Sequence, residues 1–152
     1  MKKLFLNIYY LLLPIILGSL IGVIISNNID YQSLAKPPLS PSPAVFPIAW
    51  SIIYLLMGLS YALFKNNVRG NTTYESSVYY WQLFINMLWS IIFFVLKWRF
   101  VSVLWIILLL IVVIINIKAF YKKYPLSAYL LIPYLLWLIF ATYLNIGVYI
   151  LN

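Results

Sequence analysis

Hydrophobic positions along this chain are continuous rather than alternating. Five long runs, over residues 4–25, 44–64, 76–96, 100–117 and 124–152, contain no Asp, Glu, Lys or Arg. Each is about 18 residues or longer, which at roughly 1.5 Å rise per residue crosses a hydrocarbon layer of about 30 Å as a helix. None alternates apolar and polar residues, as a membrane β-barrel strand would. A helix also satisfies every backbone group internally where no water can reach it. The pattern therefore predicts an all-α, polytopic membrane protein, a five-transmembrane-helix bundle forming a single domain over residues 1–152, with spans near 4–25, 44–64, 76–96, 100–117 and 124–150.

Composition agrees: 66% of the 152 residues are hydrophobic and only 8% are charged. Soluble domains carry about 25% charge, so the expected partner of this surface is the lipid bilayer. The first run follows Met1, Lys2 and Lys3 and so has features of a secretory signal. Its apolar stretch is longer than the usual ~7 to 15 residues, and Ser26-Asn27-Asn28 offers no small-x-small cleavage site, which favours a retained helix. Within it Gly18 and Gly22 form a G-x-x-x-G that admits a close helix neighbour, either inside the bundle or between protomers.

The net charge of +8 reads as topology. With five crossings, Lys2, Lys3, Lys65, Arg69, Lys118, Lys122 and Lys123 share one side and Lys36, Lys97 and Arg99 the other. Cytoplasmic loops hold the excess of positive charge, so the expectation is a multi-pass protein of a bacterial cell membrane with a cytoplasmic N-terminus. The basic residues are scattered over short segments instead of gathered in one stripe, so no nucleic-acid partner is expected.

Cysteine and histidine are absent, which leaves no disulfide, thiol nucleophile or metal site built on thiolate or imidazole. The two carboxylates, Asp30 and Glu75, fall in different loops on opposite sides and cannot form an acid/base pair. No ionisable residue lies within a span, so the relays that mark ion pumps are missing. Conventional catalysis finds no support in these residues.

Between the first two spans, Lys36 to Pro47 (K-P-P-L-S-P-S-P-A-V-F-P) holds five prolines and cannot be helical throughout. Pro47 suits the first turn of the next helix. The segment either covers one mouth of the bundle or simply ends one helix and starts another. Three spans then carry polar or aromatic groups at helical spacing: Trp50 and Tyr54 above Gly58 in the second, Gln82, Asn86, Ser90 and Phe93 in the third, and Tyr134, Trp137, Ala141 and Asn145 in the fifth. Amides are costly in hydrocarbon unless paired, so these faces are expected to point inward. For Gln82 and Asn145 the favoured role is interhelical hydrogen bonding. Trp50, Trp137 and Phe93, with the amides, would wall an aromatic pocket for a hydrophobic small-molecule ligand. Tyr9, Tyr10, Trp98, Tyr121 and Tyr149 read as interfacial anchors. The fourth span, almost wholly Leu, Ile and Val from Val101 to Ile117, shows no polar stripe and is expected to face lipid.

The segments L-A-K-P-P-L-S-P (34–41), W-Q-L-F-I-N-M-L-W-S (81–90) and P-Y-L-L-W-L-I-F-A-T-Y-L-N (133–145) resemble the signatures of the TspO, or translocator protein, family over nearly the whole chain. The resemblance implies a five-helix bundle, often a homodimer, that binds porphyrins, sterols and synthetic ligands in a cavity beneath the first loop. It implies Tyr31, Pro41, Trp50, Tyr54, Asn86, Ser90, Phe93, Trp137 and Ala141 as ligand-binding residues. Two departures matter. Leu39 stands where many members have a loop tryptophan, which puts any role of that residue in doubt. No basic residue follows Lys123, so the C-terminal sterol motif of animal members is missing. A reversed motif of Lys122, Tyr124 and Leu126 is a weak pattern.

The expected function is a membrane receptor or sensor for porphyrin-type tetrapyrroles, protoporphyrin IX or haem among them, with no cofactor required. Trp50 and Trp137 would stack on the ligand and Asn86 would orient it. The alternatives are a facilitated transporter of the same ligands and a porphyrin-degrading enzyme relying on tryptophan-centred oxidation.

Overall fold

The computed structural model describes residues 2–152, with side chains from residue 7 onward. Among them there is no strand, and five helical segments are long and apolar enough to cross a membrane. They are α1 (Lys2–Ile25), α2 (Val45–Asn67), α3 (Thr73–Ser90, extended by a π-helical turn Ile91–Val95), α4 (Arg99–Lys123), and a fifth made of the short α5 (Pro125–Tyr129) and α6 (Ile132–Leu151). Helix α1 packs on α2 and α3, α3 on α4, α4 on α5 and α6, and the last pair returns to α2, closing a ring. Chain order and ring order therefore differ, with the fifth span lying between the second and the fourth.

One end of the ring is packed solid with aromatic rings. Tyr61 and Tyr79 stack at 4.1 Å with planes 6° apart, and Phe64 and Phe120 at 4.2 Å and 9°. All four are buried and come from α2, α3 and α4. Offset ring pairs add about 0.5–1.5 kcal/mol each beyond the area they bury. At this end Lys123 pairs with Glu75 at 2.8 Å. Glu75 is not a loop residue, as expected from the charge-free run, but lies buried in the first turn of α3, where a carboxylate complements the helix dipole.

The opposite end is held by ion pairs and a strapped loop. Asp30 accepts a hydrogen bond from Arg99 at 2.7 Å and lies 3.4 Å from Lys97, so the two carboxylates do sit at opposite ends of the bundle. Arg99 also lies over the Phe93 ring, 4.3 Å from its centroid. Residues 29–44 form no helix and cross this mouth, so of the two roles open to the proline segment the covering one is what the structure places. The Tyr143 hydroxyl donates to the Pro38 carbonyl at 2.7 Å, and the Asn152 amide exchanges two hydrogen bonds with the Ala35 backbone, at 2.9 and 3.0 Å. Leu39 occupies the left-handed region (φ 66°) and is 84% exposed, so the residue replacing the loop tryptophan points away from the bundle.

Two expectations need correction or completion. Helix α4 is not simply a lipid-facing helix: Ile106, Leu109, Val113 and Phe120 are buried, as are Ser102 and Asn116, while Leu104, Ile107, Leu108, Ile111 and Ile115 face outward. Hydrocarbon is as apolar as a helix core, so a uniformly aliphatic helix carries no sign of which face packs. The G-x-x-x-G is split in use. A Cβ at Gly18 would overlap the Tyr54 ring, a contact inside the bundle, whereas one at Gly22 would meet nothing within 4 Å.

Candidate ligand cavity

Directly beneath the strapped loop the inside of the ring is not filled, and a cavity of about 610 Å³ remains. Its walls come from α1, the loop, α2, the π turn of α3, and α6. Aromatic rings dominate: Trp50 stacks on Tyr54 at 5.5 Å with planes 26° apart, and Trp89 on Phe93 at 5.4 Å and 27°. The two stacks meet through Trp50 and Trp89 at 6.4 Å. Among the described residues no Asp, Glu, Lys or Arg lines the cavity. The nearest cations stand behind the aromatic wall at the mouth, Arg99 over Phe93 and Lys36 5.0 Å from the Tyr31 ring centroid. Ser19, Gly22, Ser51 and Leu55, from α1 and α2, line the cavity and are exposed.

The π turn Ile91–Val95 forms part of this wall. Its Leu96 amide donates to the Ile91 carbonyl, five residues back, at 3.0 Å. Phe93 and Phe94 of this turn both line the cavity.

Of the nine residues named from the sequence, Tyr31, Trp50, Tyr54, Ser90, Phe93 and Ala141 line the cavity. Pro41, Asn86 and Trp137 do not. Pro41 acts one step behind it, its carbonyl accepting the Tyr31 hydroxyl at 2.8 Å, which fixes that ring in the loop. Burial raises the Tyr31 phenol pKa, so it remains a neutral donor. Asn86 is buried and spent on protein: the Tyr54 hydroxyl donates to its Oδ1 at 3.1 Å, and its Nδ2 donates to the Tyr134 hydroxyl at 2.7 Å. Asn86 thus orients Tyr54 rather than presenting its own amide. Trp137 sits behind the wall, edge-on to Phe46 at 6.0 Å and to Trp50 at 6.4 Å, with its buried Nε1 lacking an acceptor.

Sequence reasoning misses Trp89, Phe46, Phe94, Leu144 and the α1 residues. Trp89 neighbours Ser90 in the W-S pair of the third span, and that pair is the available signal. Asn145 behaves as expected for an interhelical amide. Its Oδ1 accepts from Trp89 Nε1 at 2.9 Å and its Nδ2 donates to Ser102 Oγ at 2.9 Å, tying α3, α4 and α6 together. Gln82 also reaches across helices, but only to the weak acceptor Met57 Sδ at 3.8 Å.

Fold and site together define a polytopic membrane protein whose five spans enclose an aromatic, uncharged compartment under a strap. The profile of the TspO/MBR family matches residues 10–151. The chain is 36% identical over 122 residues to the tryptophan-rich protein TspO of Archaeoglobus fulgidus, covering 80% of this chain and 79% of that one. It is 34% identical to the protein CrtK of Rhodobacter capsulatus, over 86% of this chain and 83% of that one. With the human translocator protein it shares 36% identity over 76% of this chain and 70% of the human one. The chain belongs to the TspO/MBR family.

Proposed function

We propose that this protein is a membrane receptor or sensor that takes a planar hydrophobic ligand of the porphyrin class, such as protoporphyrin IX or haem, into the cavity. The observation that carries this reading is the adjoining pair of stacks, Trp50–Tyr54 and Trp89–Phe93, in the wall of a space of about 610 Å³ with no charged lining residue among those described. That volume falls within the ~300–1,000 Å³ of small-molecule sites, and flat aromatic walls favour a flat π-ligand. Lys36, Lys97 and Arg99 cluster near the mouth and would suit the carboxylates of a tetrapyrrole whose ring enters first. Ser90, which lines the cavity, and the Tyr54 hydroxyl held by Asn86 supply polar contacts in the place assigned to Asn86 from the sequence. The seven-to-three distribution of Lys and Arg supports a cytoplasmic location for the aromatic-packed, basic end.

The test is titration with protoporphyrin IX, followed by quenching of intrinsic tryptophan fluorescence. Trp50→Ala is expected to weaken binding at least tenfold, about 1.4 kcal/mol, and Trp137→Ala by less than about threefold. Equal affinity in wild-type protein and a folded Trp50→Ala variant would exclude the cavity as the site. Exposure of the lining residues Ser19, Gly22, Ser51 and Leu55 favours transport of the same ligand as a second reading. In that case sealed vesicles would show ligand flux that falls in the Trp50→Ala variant.

A further inference from the structure

A second concavity lies at the other end of the molecule, in the angle between the start of α3 and the end of α4. It is lined by Tyr74, Glu75, Ile115, Lys118, Ala119, Lys122 and Lys123. Glu75 and Lys123 neutralise one another at 2.8 Å, and Lys123 also donates to the Asn71 carbonyl at 2.7 Å. Lys118 and Lys122, one turn apart, make no ion pair among the described residues. The groove therefore carries two uncompensated positive charges.

Its position matters as much as its charge. Ile111, Ile115, Lys118 and Lys122 follow one another at spacings of four, three and four, so they form one stripe along α4. Ile111 and Ile115 are exposed to the lipid side, and across the groove so are Tyr74 and Trp81 of α3. The stripe thus runs from acyl-chain depth into a pair of ammonium groups at the level where headgroups lie, with Tyr74 as the aromatic residue typical of that level. Glu75 adds an independent sign of a missing partner. It is 6% exposed, and its Oε2 is buried without a hydrogen-bond donor among the described residues.

We propose that this groove is a binding site for an anionic glycerophospholipid of the adjacent leaflet, separate from the cavity under the strap. The phosphodiester is held by Lys118 and Lys122, an acyl chain lies along Ile111 and Ile115, and a headgroup hydroxyl donates to Glu75 Oε2. A phosphatidylglycerol headgroup meets all three requirements, with one negative charge against two lysines and hydroxyls that a choline headgroup lacks. Basic residues near an anionic membrane surface are attracted to it, and a shaped groove adds a preference for one position on the protein over the general basic surface.

The site is tested by native mass spectrometry of the full chain released from micelles containing equal amounts of dioleoyl phosphatidylglycerol and dioleoyl phosphatidylcholine. Retained phosphatidylglycerol is expected to exceed phosphatidylcholine at least about fivefold, the ratio that about 1 kcal/mol of differential affinity produces. The Lys118→Gln, Lys122→Gln double variant is expected to bring the two to parity, and the corresponding double Arg variant to keep the preference. Lys65→Gln with Arg69→Gln removes the same charge from the same end outside the groove and is expected to leave the preference within about twofold. Parity in the wild-type protein would overturn the proposal. So would an equal loss in the Lys65/Arg69 variant, which would reduce the effect to overall charge. Porphyrin quenching is expected to be unchanged in the Lys118/Lys122 Gln variant, so the outcome does not depend on the function of the cavity.

Discussion

Replacing glycine by alanine is expected to act in opposite directions at Gly22 and Gly58. Both lie outside the left-handed region and inside or near the α1–α2 contact, so alanine is conformationally acceptable at each and gains about 0.5–1 kcal/mol of helix propensity. At Gly22 the added Cβ meets nothing within 4 Å. At Gly58 it would overlap the Leu11 carbonyl oxygen and stand 2.9 Å from the Leu11 Cα. These are backbone atoms of α1, so relief cannot come from a rotamer change. The whole helix must retreat by about 1 Å to restore van der Waals distance. Overpacking of this kind costs about 1–3 kcal/mol, enough to outweigh the propensity gain. Gly58→Ala is therefore expected to destabilise by about 1–2 kcal/mol and Gly22→Ala to be neutral or stabilising. For a chain of this length, about 1 kcal/mol moves the thermal midpoint by roughly 3 °C. Thermal unfolding in one detergent at one scan rate should place Gly58→Ala roughly 3–6 °C below wild type and Gly22→Ala at or above it. Equal midpoints for the two variants would refute the claim that α1 is seated by backbone contact at Gly58. Because α1 also forms a cavity wall, porphyrin affinity is expected to fall with Gly58→Ala.

The buried amides offer a second contrast. Asn145→Leu breaks the bonds to Trp89 and Ser102 and leaves the buried Trp89 Nε1 without an acceptor, while Ser102 Oγ keeps its bond to the Arg99 carbonyl, a loss of about 1–3 kcal/mol seen as a lower thermal midpoint. Asn116 is fully buried with neither Oδ1 nor Nδ2 satisfied, so Asn116→Leu is expected to be neutral or to raise the midpoint. The Asp30–Arg99 pair pins the start of the strap, and Asp30→Asn is expected to cost about 1–3 kcal/mol, because the pair is largely shielded and Arg99 loses its charged acceptor. The same variant should raise backbone hydrogen exchange in residues 29–44 and the porphyrin off-rate several-fold. Unchanged exchange there would show that Tyr143 and Asn152 alone hold the strap. Asn86→Leu frees the Tyr54 hydroxyl and is expected to reduce porphyrin affinity through Tyr54, so in a Tyr54→Phe background the further loss should be less than about twofold.

Residue order alone is enough to decide the solvent of this protein and therefore its class. Five charge-free runs leave only helices as a way to satisfy backbone polar groups in hydrocarbon, and the three motif segments carry the family. The inward faces of α2, α3 and α6 are legible too, because a Gln, Asn or Ser in a membrane must find a partner and helical spacing tells which residues share that partner's side. Depth along a face and the use of purely apolar surfaces are not legible in this way. Asn86, Trp137 and Trp50 share an inward orientation, yet the first is consumed by two tyrosines, the second lies one layer back, and only Trp50 reaches the space. Aliphatic α4 hides its packed side, since lipid and protein interior offer nearly the same environment to leucine. The ring order of the helices, the π turn in the cavity wall and the approach of α1 at Gly58 arise from how five cylinders fill a common volume, and that is settled only when all of them are in place.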